Sequence, residues 1–309
     1  MQTSDDRRSL GILAVSATTV VWSLVPLILK STDMPGLAFA MYRLWFGVIV
    51  YVVVFAVRRQ RLSAATIRAC ALGGVFFAAD IGLTFSAFSL TSAANATIIG
   101  ALSPVLITLA AARWFGEKVD RRDSVLVGAS FVGVVVVAAA SRGSEATSTL
   151  GNVCAALSVI SWTAYWLFSK RSRTTTTALE YIATVMLVAA ITITPFTIAF
   201  GLATGMSLAP PSGQDWLWIW VVTLIPGATG HLLVAWSHQH VEAWLSALIT
   251  QSQPVIASIA AWVVLGESLT ALAIAGGAVV MAATAAIVVR GARRAHDPED
   301  VELAVERAS

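Results

Sequence analysis

Residues 91–118 read TSAANATIIGALSPVLITLAAARWFGEK, and residues 240–268 read HVEAWLSALITQSQPVIASIAAWVVLGES. Each is an apolar stretch with an interior proline and a closing Gly-Glu. A shift of 150 residues lays Pro104, Gly116 and Glu117 on Pro254, Gly266 and Glu267. Nearer each start the register is 140 residues: Leu10, Gly11, Trp22, Leu27 and Lys30 meet Leu150, Gly151, Trp162, Leu167 and Lys170. The chain writes one pattern twice. Each copy holds five apolar spans, and an odd number makes the two copies face opposite ways across a bilayer. Inverted five-helix repeats move a solute past a central site by alternating access.

Working outward from these segments, apolar runs of about 20 residues, the length that crosses a bilayer, recur through the chain. Ten are read: Leu10–Leu29, Leu37–Val57, Ile67–Ser89, Ala93–Ala112, Ser124–Ala140, Leu150–Phe168, Leu179–Phe200, Trp216–Trp236, Val241–Val264 and Leu269–Val289. A mean hydropathy of +0.80 with 12% charged residues excludes an ordinary soluble domain, in which about a quarter of residues are charged. The expected fold is an all-α integral membrane protein of ten transmembrane helices. The first repeat covers residues 10–140 and the second 150–290, followed by an acidic tail, 295–309, expected to be disordered. The first span lacks a small-residue cleavage signal and belongs to the repeat, so it reads as a retained helix. Cys70 and Cys154 have no ligand spacing and suggest neither a disulfide framework nor a zinc site.

Lys and Arg fall on one set of loops. Arg7, Arg8, Arg58, Arg59, Arg61, Arg68, Arg113, Lys118, Arg121, Arg122, Lys170, Arg171, Arg173, Arg290, Arg293 and Arg294 share it, while the alternate set holds Lys30 and Arg142. This bias places both termini in the cytoplasm. It also makes the basic pI a topology signal, with no nucleic-acid partner implied.

The two quoted segments resemble the signature region of EamA repeats, of the drug/metabolite transporter superfamily. The shared features are a small-residue helix, a mid-helix proline after a polar residue, the closing Gly-Glu, and a following small-residue helix such as VLVGASFVGVVVVAAA (125–140). Arg43, in FAMYRLWFG (39–47), is also similar to that family and has no basic counterpart in the second half. The resemblance implies a transporter in the bacterial inner membrane. It is nearest to exporters of amino acids, aromatic ones included, with drugs or other metabolites as the alternative cargo.

Several residues are candidates for the transport site. Asp80, in FFAADIGLTFSAF (76–88), is an ionisable group at mid-span, which costs at least about 2.5 kcal/mol to insert and is a functional candidate by default. His231, in IPGATGHLLVAW (225–236), sits one residue from the position that the 150 shift gives for Asp80. The two are candidates for proton coupling; the alternative is that each is a satisfied interior group. Trp22 and Trp162 are the paired tryptophans of the first and sixth spans, with Pro26 one turn from the former and Tyr165 one turn from the latter. Their rings suit an apolar or aromatic solute, and equally a packed interior.

Pro104 and Pro254 each remove a backbone donor inside a span and free a carbonyl, and being duplicated they are candidate gates. Ser103, Gln251 and Gln253 around them, with Thr84, Asn95, Thr97, Ser246 and Thr250, offer polar groups to a zwitterion. The cavity is expected between the first, third, fourth, sixth, eighth and ninth spans. Glu117 and Glu267 read as structural, near the start of the following span where the helix dipole favours negative charge. Gly128, Gly133, Gly276 and Gly277 permit close helix contact, inside the chain or across a homodimer.

No HExxH or GxSxG arrangement accompanies the four histidines, so no enzyme is expected. No nucleotide-binding loop, metal cluster or cofactor motif is present. The partners implied are the lipid bilayer and a small-molecule substrate. The polar groups are dispersed and doubled in one chain, unlike a channel filter. The scarcity of cations inside the spans argues against a phosphate-bearing substrate.

Overall fold

A computed structural model describes residues 4–29, 31–91, 93–117, 119–140, 148–265 and 270–294. The side chains of Pro26 and Asn95, the residues Lys30, Gly266 and Glu267, and the tail 295–309 lie outside the described residues. Among the described residues all regular structure is helical. Among the described residues nine helices are long and apolar enough to span a bilayer: α1 (Asp6–Leu29), α2 (Gly36–Val57), α3 (Ala64–Phe88), α4 (Ala96–Phe115), α5 (Arg121–Ala140), α6 (Thr149–Ser172), α7 (Ala178–Thr204), α8 (Asp215–Ser237) and α9 (Ala243–Val264). A tenth, α10 (Ala271–Arg294), closes the second repeat. Their outer faces carry exposed apolar side chains such as Val52, Leu109, Leu202 and Val263, as a lipid-facing surface requires.

Local chemistry sets the helix ends. Ser63 accepts the N–H of Thr66 at the start of α3, and Ser148 accepts that of Gly151 at the start of α6. Thr177 and Glu180 form a reciprocal capping box on α7. Each hydroxyl or carboxylate satisfies backbone donors that a helix start leaves open. Gly116 ends α4 at φ 65°, a left-handed conformation that suits glycine.

Four spans are irregular at membrane depth. In α1 the helix breaks between Ser23 and Val25. In α4 one segment ends at Gly100 and the next starts at Ser103; in α9 the corresponding ends are Thr250 and Gln253. Pro104 and Pro254 therefore stand in the first turn of a new segment, where a missing N–H costs nothing. At both candidate gates the helix is fully broken, just before each proline, because proline crowds the residue preceding it. In α8 the chain widens into a π-helical stretch, Thr223–Gly230, that contains Pro226.

Helix pairing follows the inverted repeat. Three pairs join matching spans of the two halves: α2 with α7, α4 with α9, and α5 with α10. The pairing of α3 with α6 is mirrored by that of α8 with α1. In α5 and α10, Gly133 and Gly276 bring backbones together so closely that a Cβ on either would meet the other's carbonyl oxygen at 2.8 Å. These two glycines thus serve internal packing, and Gly277 packs on Val255, whereas Gly128 meets open space. Arg290 of α10 bonds Asp120 and Asp123 beside the start of α5 at 2.7 and 3.1 Å and locks the same pair. The largest buried cluster, with Leu44, Phe77, Tyr165, Trp166, Tyr181 and Ile182, lies between α2, α3, α6 and α7.

Candidate functional site

The irregular backbones face one cavity of about 420 Å³. Non-helical backbone is tolerated at membrane depth where it lines a cavity or is buried in protein. The lining includes Val25 and Leu29 beyond the α1 break, Gly100, Ala101, Ser103 and Pro104 at the α4 break, Val222 and Pro226 at the α8 π-turn, and Thr250, Gln251, Gln253 and Pro254 at the α9 break. It runs from Ile107 and Gln251 at mid-span to Leu29, Phe88 and Ala96 near the helix ends. Those ends lie opposite the basic end of the bundle, which carries Arg8, Arg58, Lys170 and Arg290.

At the α4 break and the α8 π-turn, side chains satisfy the freed carbonyls. Ser103 donates to Gly100 O at 2.7 Å, and Gln251 Nε2 donates to Ala101 O at 3.0 Å across the two repeats. In the π-turn, the carbonyl of Pro226 accepts from Trp22 Nε1 at 2.9 Å, that of Ala228 from the Tyr51 hydroxyl at 2.9 Å, and that of Gly230 from Thr18 at 3.4 Å. Three side chains of α1 and α2 thus hold the α8 irregularity open. Buried carbonyls without such donors would each cost about 1–3 kcal/mol.

Trp22 and Trp162 meet edge to face, ring centres 6.1 Å apart, and both line the cavity. The two readings left open by the sequence, packing and lining, apply together. Trp22 and Phe77 each lie 4.7 Å from the His231 ring, completing an apolar wall. Tyr165 is buried and does not line the cavity. Its hydroxyl shares a 3.2 Å hydrogen bond with His231 Nδ1. Asp80 and Thr84 line the cavity together, with the threonine hydroxyl donating to Asp80 Oδ1 at 3.4 Å. Asp80 and His231 make these separate bonds and none to each other. Ser103, Gln251 and Gln253 line the cavity, as do Thr97 and Thr250, while Ser246 is buried elsewhere.

The spans expected to wall the cavity do not include α2, yet Phe39, Ala40 and Arg43 of that helix line it. Among the described residues, nothing forms a hydrogen bond or ion pair with the Arg43 guanidinium. The signal was available: Arg43 is the one cation well inside a span, and intramembrane charge marks function. Phe77, Phe85, Phe88 and Ser158 were missed because apolar and small residues inside a membrane helix do not reveal which side they face. Among the described residues no group of three His, Cys, Asp or Glu side chains could hold a metal ion.

At the basic end the bundle is tied shut. Glu117 pairs with Lys170 at 2.5 Å and accepts the N–H groups of Ala243 and Trp244 at 3.1 and 3.4 Å. It therefore caps α9 of the opposite repeat; the expectation that it would serve the span following it is corrected. The reason is Gly116, whose left-handed turn aims the next residue inward. Lys170 also donates to Val241 O at 3.0 Å, and Arg8 holds both oxygens of Glu242 at 3.0 and 3.1 Å. Beside this tie, burial and the neighbouring Lys170 and Arg173 push the His238 imidazole down to about 3, and its Nδ1 shares a 2.7 Å hydrogen bond with Ser169.

Two stretches of the chain, residues 9–139 and 149–289, match the EamA-like transporter family. The chain belongs to that family. It is a multi-pass membrane transporter built from two EamA repeats, and the family is one of transporters, not enzymes. No curated protein matches the sequence. A solved structure described as "Crystal structure of protein" is similar over 93% of this chain and 99% of its own, with a TM-score of 0.77 at 19% identity. At that identity the likeness is one of fold. In this chain four broken or widened helices surround one chamber, an arrangement in which transporters bind solutes.

Proposed function

We propose that this EamA transporter exports small, neutral, amphipathic metabolites, amino acids including aromatic ones, from the bacterial cytoplasm by alternating access. The observation that carries the reading is the cavity itself, in which an aromatic wall of Trp22, Trp162 and Phe77 faces the polar helix breaks at Ser103, Gln251 and Gln253. A flat apolar side chain suits the first and a hydrogen-bonding backbone suits the second. The positive-inside bias puts the basic end and both termini in the cytoplasm. On that orientation the cavity is reached from outside, and the ties of Glu117, Lys170, Arg8 and Glu242 close the cytoplasmic side. Pro104 and Pro254 mark where the segments pivot as access changes. Asp80 and His231 remain the groups through which a proton gradient would act. Export as the direction follows from the family resemblance.

Uptake of radiolabelled phenylalanine, tryptophan and threonine into proteoliposomes holding the purified protein tests this. Saturable uptake that excess unlabelled substrate suppresses is expected, strongest for the aromatic pair. Uptake no faster than into empty vesicles for all three removes amino acids as cargo and leaves a drug or another metabolite.

A further inference from the structure

Arg43 and Asp80 are the only Lys, Arg, Asp or Glu side chains among the described residues lining the cavity. They come from different helices, α2 and α3, and no ion pair joins them. Asp80 has only the long 3.4 Å bond from Thr84, and among the described residues the Arg43 guanidinium has Tyr165 as an electrostatic neighbour but no hydrogen bond or ion pair. The aromatic side chains of Trp22, Phe39, Phe77 and Phe85 share the wall with them, beside the neutral polar groups of Thr84 and His231. A charge held among such groups at membrane depth is costly until an opposite charge meets it. One cation and one anion opening on a common space are both relieved by a ligand carrying the complementary pair.

We propose that Arg43 and Asp80 form a zwitterion clamp, Arg43 binding the α-carboxylate and Asp80 the α-ammonium of the transported amino acid. The guanidinium fork matches a carboxylate bidentately, and a carboxylate accepts readily from an ammonium. The clamp explains how a chamber with an aromatic wall takes a solute that is polar at one end and neutral overall. It also makes a prediction that the aromatic wall alone does not. An amine without a carboxylate, or an acid without an amine, leaves one protein charge unmet and binds worse, although its ring fits equally well. This inference rests on the amino-acid reading above.

The test is competition for phenylalanine uptake in proteoliposomes, by phenethylamine, which lacks the carboxylate, and by 3-phenylpropionate, which lacks the amine. In the wild-type protein both are expected to compete at least about tenfold less well than unlabelled phenylalanine. In Arg43→Gln the preference for phenylalanine over phenethylamine collapses towards about one, and Arg43→Lys restores part of it. In Asp80→Asn the preference over 3-phenylpropionate collapses instead. Equal competition by all three compounds in the wild-type protein overturns the clamp, without needing any variant to fold, and leaves the aromatic amino-acid reading standing. A parallel weakening of all ligands in Arg43→Gln, with the ratios kept, also overturns it and assigns Arg43 a structural part. Absence of phenylalanine uptake by the wild-type protein defeats the amino-acid reading first, and the clamp with it.

Discussion

The side-chain amide of Gln251 donates a 3.0 Å hydrogen bond to the carbonyl of Ala101, the residue 150 positions before it. That separation is the repeat register, so the bond crosses the pseudo-twofold axis and ties the broken helix of one half to that of the other. On the proposed mechanism these two breaks are the pivots, and a bond between them governs how they move relative to one another. Gln251→Ala is expected to slow maximal transport by about tenfold, while the lost bond costs only about 0.6–2 kcal/mol of stability. Rates and melting curves on the same preparation decide it. A raised KM at unchanged maximal rate would assign Gln251 to substrate contact alone.

Glu117 caps a helix that begins 126 residues later in the chain. Its removal in Glu117→Ala strips two backbone N–H groups of their acceptor and Lys170 of its carboxylate partner. Amide exchange at Ala243 and Trp244 should then accelerate about tenfold or more, with about 1–2 kcal/mol lost in stability. Unchanged protection at those two amides would show that α9 does not depend on this cap.

His238 gives a pH dependence with a definite sign. Burial holds its folded pKa at about 3, against an unfolded value of 6.5. Below 6.5 the unfolded chain binds the extra proton and the folded one does not, so stability is full above that value and falls as pH drops towards 3. The slope is at most about 1.4 kcal/mol per pH unit. Melting temperature followed from pH 7.5 to 5 should decline, and His238→Gln should flatten the decline. An identical slope in the variant would move the effect to other groups.

Trp22 and Trp162 are repeat mates with unequal duties. The Trp22 indole N–H holds the Pro226 carbonyl in the π-turn, whereas Trp162 contributes its ring. Trp22→Phe should therefore cost about 1–2 kcal/mol of stability, and Trp162→Phe clearly less. Thermal melts of the two variants compare them, and equal losses would contradict the assignment.

The ten spans and the two inverted repeats were legible in the sequence because lipid forces long apolar helices and duplication leaves prolines and tryptophans in register. Asp80, His231, Ser103 and Gln251 could be picked out because polar groups are conspicuous inside apolar spans. The destination of Glu117 was not legible, since a local rule for the helix dipole says nothing about a helix from the other repeat. Arg43 was visible as a charge, but its facing depends on the packing of α2 against α8. The widening of α8 and the tie across the α4 break rest on tertiary support, through Trp22, Tyr51 and Gln251, that no local window contains.

Trans-stimulation tests the central claim, alternating access of one amino-acid site, most directly. Vesicles containing the protein are preloaded with unlabelled phenylalanine and the initial entry of labelled phenylalanine is measured against unloaded vesicles. A carrier that must return its site is expected to take up label several-fold faster when loaded. Entry at the same rate in both, or no entry in either, would contradict the account.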